Sequence, residues 1–303
     1  MDQDRLPAAI ALRLTSVALF AVMNLCIKLA EAGGAQLGEI LFFRQAGAAL
    51  MMIGVVLAGP GVASLRSERM GAHVLRAVVG LSTMAVTFGG ILRLQLAEAT
   101  TIGFSMPIFA TVLGALVLGE PTGWRRWAAV LAGFAGVLIV TRPGGFAGGG
   151  GLPLVGAAMG LAGAFGTACV SILLRQIGRT ESAMTTVFWF STLSIPPLAI
   201  VYLFAFQPHG PSLWAMLLAI GLLGGGAQLA MTASLARGPV SVVVPMDYTS
   251  LLWATALGWL AFGTLPAPQV WIGAPLIVGS GLFIVWREHV RRRTATRQAL
   301  PQE

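Results

Sequence analysis

Polar residues that interrupt long apolar segments are the residues of this sequence that could bind a ligand. Asn24, Lys28 and Glu31 recur at i, i+4 and i+7, so in a helix all three project from one face. Arg44 and Asp247 lie within two other apolar segments, where a charge needs a partner or a wet cavity. Lys28 and Arg44 could receive a carboxylate, and Asp247 with Asn24 could receive an amine. Asp247 could instead carry a coupling proton.

A purely structural role is the alternative for each of these residues. Lys28 could extend its ammonium group to the nearby end of its segment. Asn24 could form a hydrogen bond between helices. Arg44 could pair with Glu39 or Glu31, and Asp247 with Lys28 or Arg44.

Residues near Asp247 could complete a binding site for an organic solute. Tyr248 and Ser250 follow it directly, and Gln228 belongs to the preceding apolar segment. Phe104 occupies the position that matches Tyr248 in the internal repeat described below. Aromatic walls with a few fixed polar groups suit an amphiphilic organic molecule better than an inorganic ion. Ordinary packing is the alternative for each aromatic ring.

Catalytic and metal-binding motifs are absent from the sequence. It contains no His-Glu-x-x-His, no Gly-x-Ser-x-Gly, no phosphate loop and no paired acidic cluster. Cys26 and Cys169 match no metal or redox spacing. We therefore predict no catalytic residues, no metal and no cofactor. Without a nucleotide-binding segment, an ion gradient or a solute gradient would have to drive any transport.

The amino-acid composition indicates whether these residues belong to a soluble or to a membrane protein. With 56% hydrophobic and 10% charged residues, the 303-residue chain has too little charge to cover a soluble domain. Apolar stretches of about 20 residues follow one another, each long enough to cross the ~30 Å hydrocarbon layer as a helix. The predicted spans are 9–30, 36–58, 72–92, 97–118, 125–141, 152–174, 182–206, 212–234, 240–262 and 268–286. These lengths predict an all-α integral membrane protein with ten transmembrane helices.

Two halves of the chain resemble each other at an offset of 144 residues. Residues 107–119 and 251–263 agree at six positions, and Gly80 matches Gly224. We predict a first repeat in 1–143, a glycine-rich linker in 144–151, a second repeat in 152–287 and a basic tail in 288–303. Two copies that meet at a central site are a recurrent plan of secondary transporters.

Basic residues predict the orientation of the chain. Fifteen of the nineteen fall in segments on the same side as the N-terminus, and two fall on the opposite side. This asymmetry places both termini in the cytoplasm. Five spans per repeat then give the repeats inverted topology. His73 and Arg76 are interpreted as boundary residues, and the basic tail as an anchor beside lipid headgroups rather than a nucleic-acid site.

Prolines inside predicted spans indicate where a helix bends or breaks. Pro107 lies in the fourth span, and Pro245 lies two residues before Asp247 in the ninth. Proline lacks the amide hydrogen of a helical residue and loosens the turn before it. We interpret Pro107 and Pro245 as candidate hinges, with a static bend as the alternative.

The sequence resembles the drug/metabolite transporter superfamily, in its ten-helix form with two EamA-type repeats, over residues 9–287. The resemblance rests on Asn24, Lys28, FFRQ at 42–45, Pro107 to Glu120, Asp247-Tyr248, Leu257-Gly258-Trp259 and Gly263. Thr264 and Leu251 depart from the pattern, which would place a glutamate and a proline there. The resemblance implies a metabolite carrier of the bacterial-type inner membrane, with the solute bound between the halves.

These observations together predict a secondary transporter that works by alternating access. Complementary charges and aromatic walls favour export of an amino acid or related zwitterion. An uptake carrier for a larger planar metabolite such as riboflavin or S-adenosylmethionine is the alternative, and a non-transporting membrane scaffold is another. The expected partners are a small-molecule solute, membrane lipid and a proton, with no nucleic acid, in a monomer or homodimer.

Overall fold

Long apolar segments form helices that run from one end of the molecule to the other in the computed structural model of the chain. The structure describes residues 5–59, 61–117, 123–141, 152–178, 180–237 and 243–298, and these ranges contain helices and connecting turns but no strand. The predicted linker at 144–151 lies outside the described residues. The chain is an all-α integral membrane protein.

The helices follow the predicted spans closely. The first half forms α1 (Arg5–Ala32), α2 (Leu37–Ala58), a 3-10 turn (Val62–Leu65), α3 (Met70–Arg93), α4 (Leu96–Gly103), α5 (Met106–Val117) and α6 (Trp124–Thr141). The second half forms α7 (Leu154–Ile177), α8 (Ala183–Ala205), α9 (Pro211–Arg237), a 3-10 segment (Val244–Thr249), α10 (Ser250–Phe262) and α11 (Pro268–Gln298). Because α11 continues to Gln298, residues 288–298 of the predicted tail are helical.

Nine spans in the described ranges are long and apolar enough to cross a membrane, with α4 and α5 together forming one of them. The predicted span at 240–262 begins in residues that are not described and continues through the 3-10 segment and α10. The two broken spans are related by the repeat offset. In the first, a turn at 104–105 separates α4 from α5 just before Pro107. Because proline disfavours α geometry in the residue before it and donates no hydrogen bond, the sequence weakens the helix there.

The two halves interlock, and most helix contacts join one half to the other. The helix α1 packs along α9, and their repeat equivalents α7 and α3 pack along each other in the same way. The repeat-related helices α6 and α11 also form a pair. The symmetry has one clear exception, because α2 contacts α9 far more extensively than α8 contacts α3. This asymmetry leaves space between α3 and α8.

Glycines set the shortest distances between the halves. A Cβ on Gly221 of α9 would lie 2.6 Å from the carbonyl oxygen of Phe43 and 3.0 Å from Cα of Gly47, both on α2. A Cβ on Gly136 of α6 would lie 2.9 Å from the carbonyl oxygen of Gly273 on α11. Small residues allow such close helix contacts in a membrane, where van der Waals packing stabilises association.

One end of the bundle is sealed by an apolar cluster. Ile27 of α1, Ile40 of α2, and Leu217 and Ile220 of α9 are fully buried in it. Polar groups close to the same end are satisfied locally. Glu39 accepts a hydrogen bond from the backbone nitrogen of Gln36 at 2.9 Å, which fixes the first turn of α2. The opposite end is wider, because α3, α7, α8 and α9 enclose a cavity there.

Candidate functional site

Two adjoining cavities occupy the interface between the halves. The central cavity has a volume of about 320 Å³, and the wide cavity, between α3, α7, α8 and α9, has a volume of about 710 Å³. Both are lined by Phe20, Thr87, Thr167 and Met231, so they meet along a shared wall. Apolar side chains dominate this lining and a small number of polar groups project into it, as in binding sites for organic molecules.

The central cavity brings together four of the residues predicted from the sequence. Asn24 of α1, Phe104 between α4 and α5, Asp247 of the 3-10 segment and Ser250 of α10 all line it. The broken fourth and ninth spans therefore both reach the same cavity. Irregular backbone at this depth is tolerated in a membrane protein where it lines a cavity.

Asp247 forms an ion pair with Arg13 of α1. Nε of Arg13 donates to Oδ1 of Asp247 at 2.6 Å, and Nη2 donates to Oδ2, so the contact is bidentate. The side chain of Arg13 is 8% exposed and that of Asp247 is 39% exposed, toward the cavity that both line. Arg13 is one of the fifteen basic residues assigned to the side of the N-terminus, and the partners expected for Asp247 were Lys28 or Arg44. The structure instead selects Arg13, 234 residues away in the chain.

Lys28 is not among the residues that line either described cavity, although it contacts one of them, Ile91. Its Nζ donates to the carbonyl oxygen of Ile91 at 3.2 Å and to that of Leu94, at the C-terminal end of α3. Nζ also lies 5.9 Å from the ring centre of Phe262 in α10. A cation near the C-terminus of a helix satisfies carbonyls that lack an intrahelical donor. Lys28 thus ties α1 to the end of α3 in this conformation.

We expect Lys28→Ala to weaken the protein without changing which solutes it accepts. Loss of two carbonyl contacts should lower the free energy of unfolding by about 1–2 kcal/mol, since hydrogen bonds to a charged group are worth somewhat more than neutral ones. Thermal unfolding in detergent measures this change, and Lys28→Arg is the control that retains a donor. A selective loss of carboxylate-bearing solutes in Lys28→Ala, with neutral solutes unaffected, would contradict this expectation and favour direct solute contact.

Arg44 and Gln228 line the wide cavity rather than the central one. The predicted pairing of Arg44 with Glu39 does not occur, because both carboxylate oxygens of Glu39 lie 3.1 Å from Nε2 of His209. Arg76 lines the wide cavity as well, with its guanidinium carbon 4.1 Å from the ring centre of Phe190. The guanidinium group of Arg76, which was interpreted from the sequence as a boundary residue, is thus turned into the bundle.

His73, one turn before Arg76, is likewise turned into the bundle. Its side chain is fully buried, and Nε2 lies 3.8 Å from Oε2 of Glu181, in the turn before α8. The spacing of His73 and Arg76 at i and i+3 places both on one face of α3. That spacing was the sequence signal for a polar face turned toward other helices.

Tyr248 and Phe104 meet where the two broken spans cross. Their ring centres are 4.9 Å apart in an edge-to-face arrangement, and the repeat offset relates the two positions.

Pro107 lies in the first turn of α5, and Pro245 lies in the 3-10 segment that precedes α10. Both candidate hinges thus border irregular backbone. By contrast, Pro196 and Pro197 lie within the continuous helix α8, and Pro275 lies within the continuous helix α11.

The described residues offer no group of three or more histidines, cysteines, aspartates or glutamates that could hold a metal ion. Besides the Arg13–Asp247 pair, the polar groups of the cavities are hydroxyls, amides, two guanidinium groups and the carboxylate of Glu181. Such a set can bind and orient an organic molecule.

Comparison with known proteins agrees with this architecture. A model of the EamA-like transporter family matches residues 7–142 and, a second time, residues 154–286. The chain belongs to the EamA-like transporter family. The two matched regions correspond to the two halves of the bundle, so each half is one family domain.

Relatives of this family member are named as carriers of different molecules. A riboflavin transporter of Vibrio cholerae is 30% identical to it over 235 residues, which are 76% of each chain. A pseudopaline exporter of Pseudomonas aeruginosa is 26% identical over 279 residues, which are 92% of this chain and 96% of the exporter. This EamA-like protein is accordingly a membrane transporter of small molecules.

A solved crystal structure has the same fold. It superposes with a TM-score of 0.60 at 22% sequence identity, and the match covers 94% of this chain and 98% of that one. This likeness concerns the architecture alone. The choice of transported solute depends on the side chains that line the cavities.

Proposed function

We propose that this EamA-like protein is a secondary carrier that moves a small organic metabolite by alternating access of its two halves. The observation that carries the proposal is a pair of joined cavities between the halves, sealed by an apolar cluster at one end and widened at the other. Inverted repeats can exchange their packing roles and so open to either side with similar energy. The unequal α2–α9 and α3–α8 contacts fit one of these two states.

The orientation predicted from basic residues makes this state inward-facing. With the N-terminus in the cytoplasm, α3 and α8 begin there and α9 ends there. The wide cavity is lined by these parts of the three helices, so it belongs to the cytoplasmic half. Ile27, Ile40 and Leu217 then close the periplasmic side of an inner membrane.

An amino acid or related zwitterion is the solute we propose first, with export as its direction. Arg44 faces the wide cavity and suits a carboxylate. An amine would approach Asp247, where it would compete with Arg13 for the carboxylate. A proton on Asp247 would also release Arg13, which is how this residue could couple transport to a proton gradient.

Uptake of a planar metabolite such as riboflavin is the second candidate. It is favoured by similarity to the Vibrio cholerae riboflavin transporter and by the aromatic residues of the cavities, Phe20, Phe88, Phe104 and Phe190. Rings on the cavity wall provide stacking surfaces for a flat molecule.

Counterflow in proteoliposomes tests these proposals. We expect one member of a labelled panel of amino acids, riboflavin and S-adenosylmethionine to accumulate, and accumulation to fall at least about tenfold in Asp247→Asn, since the removed group is charged and hydrogen-bonded. Glu68→Gln, an acid-to-amide change at an exposed residue, is the control and should transport normally.

Any other outcome of the counterflow experiment would contradict part of the proposal. If no solute moves with either protein, the amino acid and flavin proposals both fail and a scaffold is favoured. If transport is unchanged in Asp247→Asn, the carrier stands without Asp247 in its mechanism. Everted membrane vesicles, assayed with the solute that moves, measure the proposed export separately.

A further inference from the structure

Two arginines face the wide cavity without a carboxylate partner. Arg44 is 8% exposed, and its Nη1 donates to the side-chain oxygen of Gln45 next to it. Its Nε is buried and has no hydrogen-bond partner. The side chain passes over Gly224 of α9, where a Cβ would lie 3.5 Å from both Cγ and Nε of Arg44.

Arg76 approaches the same cavity from α3. Its guanidinium group lies over Gly80, one turn further along the helix, and over the ring of Phe190 from α8. Nε and Nη1 of Arg76 are both buried and have no hydrogen-bond partner. Gly80 and Gly224 are related by the repeat offset, so glycine makes room for a guanidinium group at equivalent places in the two halves.

The acidic residue that lines this cavity is already engaged. Oε1 of Glu181 accepts hydrogen bonds from Oγ of Ser67 at 2.8 Å and from the backbone nitrogen of Glu68 at 3.3 Å, and Oε2 lies 3.8 Å from His73. Within the described residues, neither Arg44 nor Arg76 has a carboxylate oxygen within 4.0 Å. Two like charges with buried, unused donors are costly inside a membrane protein unless an anion neutralises them.

We propose that Arg44 and Arg76 form a subsite for an anionic oxygen group, a carboxylate or a phosphate, of the transported solute. This inference rests on the proposed function and narrows its substrate class to solutes with an acidic group. Guanidinium groups present several N–H donors in one plane and bind such groups with two parallel hydrogen bonds. The ring of Phe190 beside Arg76 supplies an apolar wall for the rest of the molecule.

An anionic lipid headgroup carries the same oxygen chemistry, so the test has to separate the two sources. Inorganic phosphate is the first probe, titrated at constant ionic strength against the purified full chain in a neutral detergent, with the unfolding temperature as readout. We expect phosphate to stabilise the protein, and its apparent affinity to fall roughly tenfold to a hundredfold in Arg44→Gln and in Arg76→Gln. Arg237→Gln, at the exposed end of α9, is the matched control and should respond like the unmodified chain.

Two further measurements distinguish a binding role from a structural one. In the absence of anions, Arg76→Gln should unfold at the same or a higher temperature, because it removes one of two unpaired charges. Flavin mononucleotide should then bind the unmodified chain more tightly than riboflavin does, and this preference should disappear in both variants. Arg44→Lys, which keeps the charge, should retain part of the preference for flavin mononucleotide. Such a result would also show that position 44 tolerates substitution.

Three results would overturn the proposal. Equal phosphate responses in the unmodified chain and in both glutamine variants would remove the subsite. A lower unfolding temperature of Arg76→Gln without anions, unchanged by phosphate, would make the arginine structural. Stabilisation by phosphatidylglycerol but not by phosphate or flavin mononucleotide would assign the site to a lipid headgroup. These assays measure binding alone. A negative counterflow experiment therefore does not affect the test of the anion subsite, and a negative binding assay does not affect the proposed carrier function.

Discussion

Gly47→Leu is expected to remove nearly all folded protein. The backbone of α2 at Gly47 touches the backbone of α9 at Gly221, so even a Cβ on Gly47 would overlap that helix. A leucine there has to push the two helices apart along one of the most extensive interfaces of the bundle. Overpacking costs up to about 3 kcal/mol in ordinary cores, and we expect at least that much where the obstacle is backbone rather than a movable side chain.

Size-exclusion chromatography of a fluorescent fusion measures this effect as the loss of the monodisperse peak. Gly54→Leu is the matched control on the same helix, because nothing lies within 4 Å of a Cβ at that position. Gly221→Ala should be intermediate. If Gly47→Leu and Gly54→Leu gave equal yield and equal unfolding temperature, the close α2–α9 contact would not exist in the membrane.

The second large effect is expected for Arg13→Gln. This substitution leaves the carboxylate of Asp247 without its bidentate partner at the wall of the central cavity. Removing one partner of a fully buried ion pair costs about 3–5 kcal/mol. Asp247 is 39% exposed to the cavity, so we expect roughly 1–3 kcal/mol after solvent screening, together with a loss of counterflow.

A charge exchange shows whether the pair or the individual groups are required. Arg13→Asp combined with Asp247→Arg restores opposite charges. We therefore expect the double variant to unfold at a higher temperature than either single variant. The coupling energy follows from the double-mutant cycle. Additive effects of the two single changes would show that the ion pair contributes nothing. Recovered stability without recovered counterflow would indicate that Asp247 acts on the solute or a proton directly.

The lengths and positions of the helices follow from local properties of the sequence. Apolar runs long enough to cross the hydrocarbon layer have to satisfy their backbone groups internally, and helices do so within a single segment. The break before Pro107 follows from the missing amide hydrogen of proline, and Pro245 likewise lies in the irregular segment before α10. The small residues that allow close packing, such as Gly47 and Gly221, are also visible in the sequence, although their partners are not.

The tertiary structure decided which polar residues meet. Arg13 rather than Lys28 or Arg44 pairs with Asp247, and Arg76 faces a cavity between the helices. A transmembrane helix is apolar on nearly every side, so its sequence marks depth but leaves its rotation about its own axis almost unspecified. A partner 234 residues away depends on that rotation in two helices at once. The packing of the two halves fixes this rotation. The spans and the repeat can therefore be derived from the sequence, whereas the composition of the site follows from the fold.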